Sequence, residues 1–565
     1  MVTVYDTIII MKTMQNTDGL VQRLLEKRNI ADIDAQDIFL NPDFSRDVHD
    51  YKLLHDIDAA VQRILAVIEN NEKIVIYADY DADGIPGAVV LSDFFKKINY
   101  EHAEVYIPHR HDEGYGLHHD AVQSFIDDGI KLLITIDLGI TADKEVAYAH
   151  ENGLDVIVTD HHEAGEHVPD AVAVVNPKLG NYPDPMLCGA AVAWKLVCAL
   201  CDALRNDEKF NDIAPAVGWE KWLLDMVGIA TLSDMVPLLN ENRALAWYGL
   251  VVLRKSTRPG FTALLRKMYM RKETLLEDDI TFMITPRINA ASRMAHPIDA
   301  YKLLATQDPL EAQMMTEHLV RLNDERKKLV AATMREANKT LKSRELSDII
   351  VIGNPEWKAG ILGLVANKIV EEFNRPAFVW SRENGHIKGS CRTWGDCDLH
   401  DLMGRAPEGT FIQYGGHKEA GGFTATEEAI HDVEKNLLSV YEVNENQTES
   451  NILYDAELTL SSVNYATYNA LRKMAPFGVA NPKPQFLFSH VEITGIRIFG
   501  KQKNHIELLL KQNDITIKAI KFFADTTSFS TPVDVGMSVS CIGHIEEDTF
   551  GRNRLIRLRI VDVVS

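Results

Sequence analysis

The chain has 565 residues, of which 46% are hydrophobic and 25% charged. At about 100–200 residues per domain, that length predicts three or four domains of ordinary globular composition. No apolar run reaches the roughly 18 residues of a membrane-spanning helix. A net charge of -23 lacks the basic footprint of a nucleic-acid binder. The sum hides a basic run, RKSTRPGFTALLRKMYMRK (254–272), and a carboxylate-lined metal site would add to it.

The N-terminal apolar patch, Ile8 to Met11, has no basic leader and no small-residue cleavage site. It is therefore not expected to be a signal peptide, and Met11 and Met14 are alternative starts. The six cysteines are sparse. Cys198 and Cys201, inside AVAWKLVCALCDAL, read as small core residues of a buried helix. Cys188, Cys391, Cys397 and Cys541 are scattered, which suits a reducing cytoplasm.

Residues 1–70 predict helices with polar breaks. From there strands and helices alternate. The strands are KIVIYA (73–78), AEVYIP (103–108), LLITID (132–137), DVIVTD (155–160) and AVAVVNP (171–177). GAVVLSDFFKKI, HDAVQSFIDDG and TADKEVAYAHENG are helical segments between them. This order predicts a parallel sheet with helical crossovers. Helices dominate from about 188 to 345. The last, 308–343, keeps helical apolar spacing without Pro or Gly after Asp308-Pro309 and is long enough to join two domains. DIIVIG (348–353) opens a second α/β region, and EVNENQTES (442–450) reads as a linker. From 451 the chain is mostly strand: NILYDAELTL, PQFLFSHVEITGIRIFG, HIELLLKQNDITIKAIKFF, SVSCIGHIEE and RLIRLRIVDVV. That pattern predicts a small closed barrel.

The chemistry sits where these strands end. Asp79, Asp81 and Asp83 follow the first; Asp137 ends LLITID; Asp160, His161 and His162 end and follow DVIVTD. Beyond the carboxyl ends of an open parallel sheet is where ligands bind. Asp234, at the end of the apolar GIATLSDMVPL, needs a partner of its own. Alternating acids at 79, 81 and 83 repel one another. Burying them without a cation costs on the order of several kcal/mol or raises their pKa. Oxygen ligands with one or two imidazoles suit Mn²⁺ or Mg²⁺ better than Zn²⁺. The number of candidates points to two ions sharing a carboxylate. An EF-hand loop is excluded because no Glu follows at the required position, and His162-Glu163 is not H-E-x-x-H, because the next histidine is His167. A lone DHH triplet could still be a polar turn; three clusters at three strand ends argue against that.

DYDADG, TIDLGIT, TDHHEAG and TLSDMVPL together resemble the motifs of the DHH phosphoesterase superfamily. PRINAASRM (286–294), KGSCRT (388–393), YGGHKEAGGF (414–423) and APFGVANPKPQF (475–486) extend the resemblance to its RecJ branch, single-strand-specific 5′→3′ DNA exonucleases. The resemblance covers nearly the whole chain and implies five segments: an N-terminal helical segment (1–70), a DHH domain (71–305), a connecting helix (306–345), a second α/β domain of the DHHA1 type (346–445) and an oligonucleotide-binding (OB) barrel (451–565). It implies that Asp81 and Asp137 hold one Mn²⁺ or Mg²⁺ with Asp79 beside it. Asp83, Asp137, His161 and Asp234 would hold the second, so that Asp137 bridges. His162 would face the scissile phosphate, and Asp160 would support an imidazole. Arg110, Ser390 and Arg392 would grip the 5′-terminal phosphate, and Arg293 and His417 would line the nucleotide pocket. The barrel would stack single-stranded bases, with Phe477 and Phe486 at its entrance, although core packing explains both more simply. The resemblance further implies a cytoplasmic monomer working in DNA repair and recombination with a single-strand binding protein and a RecQ-type helicase.

The sequence departs from the family pattern in three places. Pro86-Gly87 follows the first DG, Leu138 stands where cysteine is usual, and Lys358 replaces a histidine. None removes a ligand. Two other readings use the same residues: a phosphodiesterase for short RNA or cyclic dinucleotides, which would not need a barrel, and a non-catalytic replication scaffold, which would not need a complete ligand set.

Overall fold

The computed structural model describes residues 19–383, 385–442, 454–500, 503–548 and 554–565. The apolar patch at Ile8 with both alternative starts, and the polar stretch from 443 to 450, lie outside them. The chain forms two compact units. One comprises residues 50–234 and 249–450; the other comprises 1–49, 235–248 and 451–565.

The larger unit contains two sheets. The first is fully parallel, in the order β2-β1-β3-β4-β5, from β1 (Ile74–Ala78), β2 (Ala103–Tyr106), β3 (Leu132–Ile136), β4 (Asp155–Thr159) and β5 (Ala173–Val175). Every residue of β1 and β3 is buried, as expected when helices cover both faces of a parallel sheet. Helix α1 (Gly84–Lys97) leaves the β1 turn and packs on α2 (Gly189–Asn206) and α3 (Leu224–Ser233). The strand–helix alternation expected from the sequence is thus the observed architecture.

Two of the departures now have a physical reading. A Cβ at Gly87 would meet Ile136 Cγ2 at 2.6 Å and Ala190 Cα at 3.2 Å, so glycine lets α1 approach both β3 and α2. Pro86 lies in the first turn of α1, where an amide has no intrahelical acceptor. Leu138 is fully buried in the apolar core on this sheet. Lys358 is exposed, and nothing in the structure explains its replacement of histidine.

The second sheet has the order β6-β7-β8-β10-β9. Its strands are β6 (Ile350–Gly353), β7 (Ala377–Glu383), β8 (His386–Arg392), β9 (Gln413–Gly416) and β10 (Ala420–Ala425). Only the β6–β7 pairing is parallel. Between the two sheets in sequence come α4 (Thr285–Met294) and the 33-residue α5 (Pro309–Leu341). Asp308 caps α5 through its side chain, and Pro309 occupies the first turn, where proline's missing N–H is harmless. Helix α6 (Leu362–Phe373) packs on β7 and β8. Three of the seven basic residues in the run 254–272 are engaged inside this unit, while Lys255, Arg266, Lys267 and Arg271 are exposed. Arg258 pairs with Asp93 and Asp225, each at 2.7 Å, Arg254 donates to the Leu275 carbonyl, and Lys272 to that of Ser256.

In the smaller unit β12 (Phe486–Phe499), β13 (His505–Gln512), β14 (Ile515–Phe522), β16 (Leu555–Val564) and β15 (Ser538–Asp548) pair in that order, and β15 returns to pair with β12. The result is the expected closed barrel, which leaves no free edge among these five strands. Among the described residues of NILYDAELTL only β11 (Ala456–Glu457) pairs, less strand than composition suggested, and a helix not anticipated from the sequence, Tyr465–Arg472, follows. Phe486 is fully buried and Phe477 nearly so; both belong to the barrel core rather than to a stacking surface. The same core includes Leu20, Val21, Leu24, Leu25 and Phe39 from the N-terminal residues. Arg243 anchors the APFGVANP segment, donating to the carbonyls of Phe39, Met474 and Ala475 at 2.8, 3.0 and 2.8 Å.

Candidate metal centre

The turn after β1 brings three carboxylates together. Asp81 Oδ1 accepts from the amides of Asp83 and Gly84 at 2.7 and 3.2 Å. Asp83 is held by the first amides of α2: Gly189 N and Ala190 N donate to its two oxygens at 2.6 and 2.7 Å. The positive end of a helix thereby favours its charge. Asp137 leaves β3 with φ of 64°, a left-handed conformation tolerated by aspartate. A Cβ at Gly189 would lie 2.6 Å from that of Asp137, so only glycine lets the helix start so close.

His161 Nε2 faces three carboxylates, at 3.1 Å from Asp137, 3.7 Å from Asp83 and 3.7 Å from Asp234. Three groups of potential ligand atoms each lie within 4.8 Å of one another: Asp79, Asp81 and Asp137; Asp83, His161 and Asp234; and Asp137, His161 and His162. Asp137 belongs to two of these groups, and so does His161.

The residues fit a cation. Asp79 Oδ1, Asp137 Oδ1 and His161 Nε2 are buried and lack hydrogen-bond partners, an arrangement that is costly unless something positive satisfies them. Burial first, and then repulsion from Asp81, hold Asp79 well above the usual carboxylate range and push Asp83 to about 7. Burial and Asp83 likewise raise Asp137 well above that range and Asp234 to about 9. Burial, reinforced by the neighbouring His162, lowers His161 to about 3, leaving it a neutral imidazole able to ligate. A bound cation reverses the carboxylate shifts.

Asp160 is a different kind of acid. Its Oδ1 accepts from the amides of His161 and His162 at 2.7 and 3.1 Å and from His162 Nδ1 at 2.8 Å, while Oδ2 accepts from Ile140 N at 2.9 Å. Burial opposes its charge, but the bonds from His162 and the backbone amides win, and its pKa falls below the usual value. Burial works against the His162 cation too; the Asp160 contact outweighs it and the pKa rises. This bond fixes the ring through Nδ1 and leaves Nε2 for the substrate side. Two neighbours of His162 carried no signal in the sequence. Asn176 donates to the His162 carbonyl at 3.0 Å. The Tyr115 ring stands 6.1 Å from that of His162, although GYGL lies inside the same PHRHDEGYGL stretch as Arg110.

The second sheet contributes positive charge. Arg392 and Ser390, on β8, lie against the start of α6, where a Cβ at Gly363 would meet Arg392 Nη2 at 2.9 Å and Ser390 Oγ at 3.0 Å. Arg110 lies over the Tyr80 ring at 4.9 Å. Arg293, at the end of α4, donates to the Gly360 carbonyl at 3.3 Å. Burial, with the like charges of Arg110, Arg326 and Arg392, lowers Arg293 to about 9. A guanidinium beside a helix start has the chemistry to take an anion. The His417 ring, in the turn between β9 and β10, lies parallel to that of His162 with centroids 6.5 Å apart. Every candidate site residue from the sequence therefore falls in this unit. The carboxylates and the paired imidazoles form one cluster, and the guanidiniums form another.

Family models match at residues 73–230 (DHH family, N-terminal domain), 326–442 (DHHA1 domain) and 454–562 (RecJ OB domain). Over 96% of its length the chain is 31% identical to the single-stranded-DNA-specific exonuclease RecJ of Bacillus subtilis, covering 67% of that protein. It is 30% identical to the Haemophilus influenzae protein of the same name, with 91% of each chain covered. The crystal structure of RecJ in complex with Mn²⁺ from Thermus thermophilus superposes with a TM-score of 0.78 at 25% identity, covering 97% of this chain and 76% of that one. A crystal structure of exonuclease RecJ bound to manganese gives a TM-score of 0.61 at 30% identity, over 70% of this chain and 97% of that one.

Proposed function

The chain belongs to the RecJ family of single-stranded-DNA-specific exonucleases, and from that premise we propose that it removes 5′-mononucleotides from the 5′ ends of single-stranded DNA in a reaction that requires Mn²⁺ or Mg²⁺. One observation carries the reading: buried, unpartnered carboxylate and imidazole atoms share a unit with a guanidinium cluster at a helix start. The first can hold two cations and the second a terminal phosphate.

Asp79, Asp81 and Asp137 would hold one cation; Asp83, Asp137, His161 and Asp234 the other. Bound there, two such ions would supply an activated water and neutralise the charge of the phosphodiester. The chain's own residues do the rest. Arg110, Ser390 and Arg392 grip the 5′-phosphate, with the fork of each arginine matching its oxygens. Arg293 and His417 hold the terminal nucleotide. Asp160 orients His162 through Nδ1, so that Nε2 presents a proton to the departing 3′-oxygen. Cleavage leaves a 5′-phosphate on the shortened strand, so each product is again a substrate for the same pocket.

Supporting the strand reading over a cyclic dinucleotide is the closed OB barrel; supporting catalysis over a scaffold is the filled ligand set. We take the division into an N-terminal segment, DHH, connecting-helix, DHHA1 and OB regions as the working domain map. No helix among the described residues is long and apolar enough to cross a membrane, and we propose a monomer acting in the cytoplasm. A 5′ single-strand end has to be exposed by unwinding, which is the ground for proposing a RecQ-type helicase and a single-strand binding protein as partners in repair and recombination; co-purification from nuclease-treated extract tests both.

The function itself is tested by digesting 5′-phosphorylated single-stranded DNA labelled at its 3′ end, with Mn²⁺, Mg²⁺ or EDTA. The expected result is a metal-dependent ladder shortening from the 5′ end, with duplex spared. Intact DNA in every lane would overturn the reading.

A further inference from the structure

Outside the metal centre, unpartnered buried polar atoms recur on α4 and α5, two helices packed on each other. They include Arg287 Nε on α4, and both side-chain polar atoms of Asn323 and Arg326 Nε on α5. Arg287 is 7% exposed and Asn323 fully buried; Arg326 is half-buried and so reachable from solvent. The inward stripe of α5 is otherwise mostly apolar, running through Ala312, Leu319, Leu322, Val330, Ala337 and Leu341. Asn323 and Arg326 interrupt it in the middle.

The charges there are mostly positive, with Asp324 the acid among Arg287, Arg326 and Lys327. Burial and the nearby Arg287 hold the Arg326 guanidinium below its usual pKa. Arg287 is lowered by burial, with Asp324 the acid that partly offsets this. Arg326 in turn acts on Arg293, which also feels Arg110 and Arg392. Arg287, Arg326 and Arg293 thus lie close enough for each to repel the next. Buried like charges with orphaned donors are strongly unfavourable unless an anion joins them. Arg287 has part of this need met, since its Nη1 donates to the Met283 carbonyl at 2.6 Å; its Nε, and that of Arg326, do not.

We propose that the α4–α5 seam is a second phosphate subsite, with Arg326 as the donor that reaches the ligand and Arg287 and Asn323 as the buried groups that fix its position. The phosphoryl group belongs either to the DNA strand or to a released mononucleotide; both present the same oxygens to a guanidinium fork. The choice of these two sources rests on the exonuclease reading, whereas binding of a phosphoryl group does not.

The test uses the full chain in EDTA, with Arg326→Met made alone and in an Arg392→Gln background that weakens the neighbouring cluster. Thermal unfolding is followed as inorganic phosphate is titrated against chloride at equal ionic strength. The Arg392→Gln protein should keep a phosphate-dependent rise in Tm, and the double variant should lose it. Anisotropy of a labelled 5′-phosphorylated oligonucleotide then separates the sources. If a strand phosphate occupies the seam, Arg326→Met weakens DNA binding about tenfold and lowers the salt slope by about 0.7, the share of one single-strand phosphate. If the product occupies it, the slope is unchanged and competition by a 5′-mononucleotide weakens instead. Arg326→Lys, which keeps the charge and guards against loss of fold, should be intermediate. Phosphate responses that are identical in the Arg392→Gln protein and the double variant, with DNA and mononucleotide affinities unchanged, would overturn the proposal. A wild-type protein that shows the phosphate response but digests no DNA would leave the subsite standing and remove the exonuclease reading.

Discussion

The two sheets of the larger unit each have five strands and carry opposite charge. At the carboxyl edge of the parallel sheet, Asp79, Asp83 and Asp137 are buried in turns that aim oxygens at one another. On the mixed sheet, Arg392 and Ser390 stand beside the start of a helix. Each gathering is unfavourable alone, the acids at that edge and Arg392 with Arg110 and Arg293: like charges face each other at low dielectric. The sign of each cluster matches the ligand proposed for it, cations in one case and phosphate in the other. A polyanionic substrate with bound metal ions satisfies both.

The acidic cluster should give the largest effects. Asp137→Ala removes the carboxylate shared by two ligand groups and should cut turnover by on the order of 10³-fold or more, a loss as large as that of a principal charge-stabilising group. Circular dichroism should be unchanged, and a variant with wild-type turnover would end the two-metal reading. Asp160→Asn keeps the shape but loses the charge that orients His162; between about 10- and 100-fold in metal affinity or activity should go, as for other groups that orient a ligand. On the basic side, Arg392→Gln should raise KM about tenfold with a smaller change in kcat, because one charge-assisted contact is lost. The loss should be largest for 5′-phosphorylated ends; equal effects on 5′-hydroxyl ends would mean that Arg392 does not read the phosphate.

The smallest effect expected is on stability, and it again separates the acidic cluster from the basic one. Asp83 and Asp234 have folded pKa values of about 7 and about 9, raised above an unfolded value of about 3.9. Their contribution is present in full below that unfolded value and is lost as pH rises through the folded ones. Metal-free protein should therefore lose Tm between about pH 4 and 9, and Mn²⁺ should stabilise it more at about pH 8 than at about pH 6. Differential scanning fluorimetry with and without EDTA checks this; a metal increment independent of pH would contradict it.

Much of this was legible in sequence because it is local. Strand ends carry their acids within a few residues, and the 2-residue and 3.6-residue periods separate strand from helix. What escaped depends on distant segments. Nothing near Asp83 announces that residues 189 and 190 hold it. The basic run at 254–272 resembled a nucleic-acid patch, yet Arg258 is spent on Asp93 and Asp225. Arg326 looks like one more charge on a long polar helix, and only tertiary packing makes it half-buried. Phe477 and Phe486 are aromatic residues beside a barrel, and composition cannot tell a stacking ring from a core one.

The smaller unit is assembled from three separated stretches of chain, and this bears on how the gene can be divided. Leu20, Leu24, Leu25 and Phe39 share one core with Phe486, Phe488 and Val491, and Arg243 ties the carbonyls before the barrel to that of Phe39. A fragment cloned from residue 451 onward would lack these partners and present an apolar face to water, an aggregation hazard. Recombination that swaps the last block of the gene between relatives would have to carry two earlier blocks with it. The barrel is thus a module in space but not in the coding sequence.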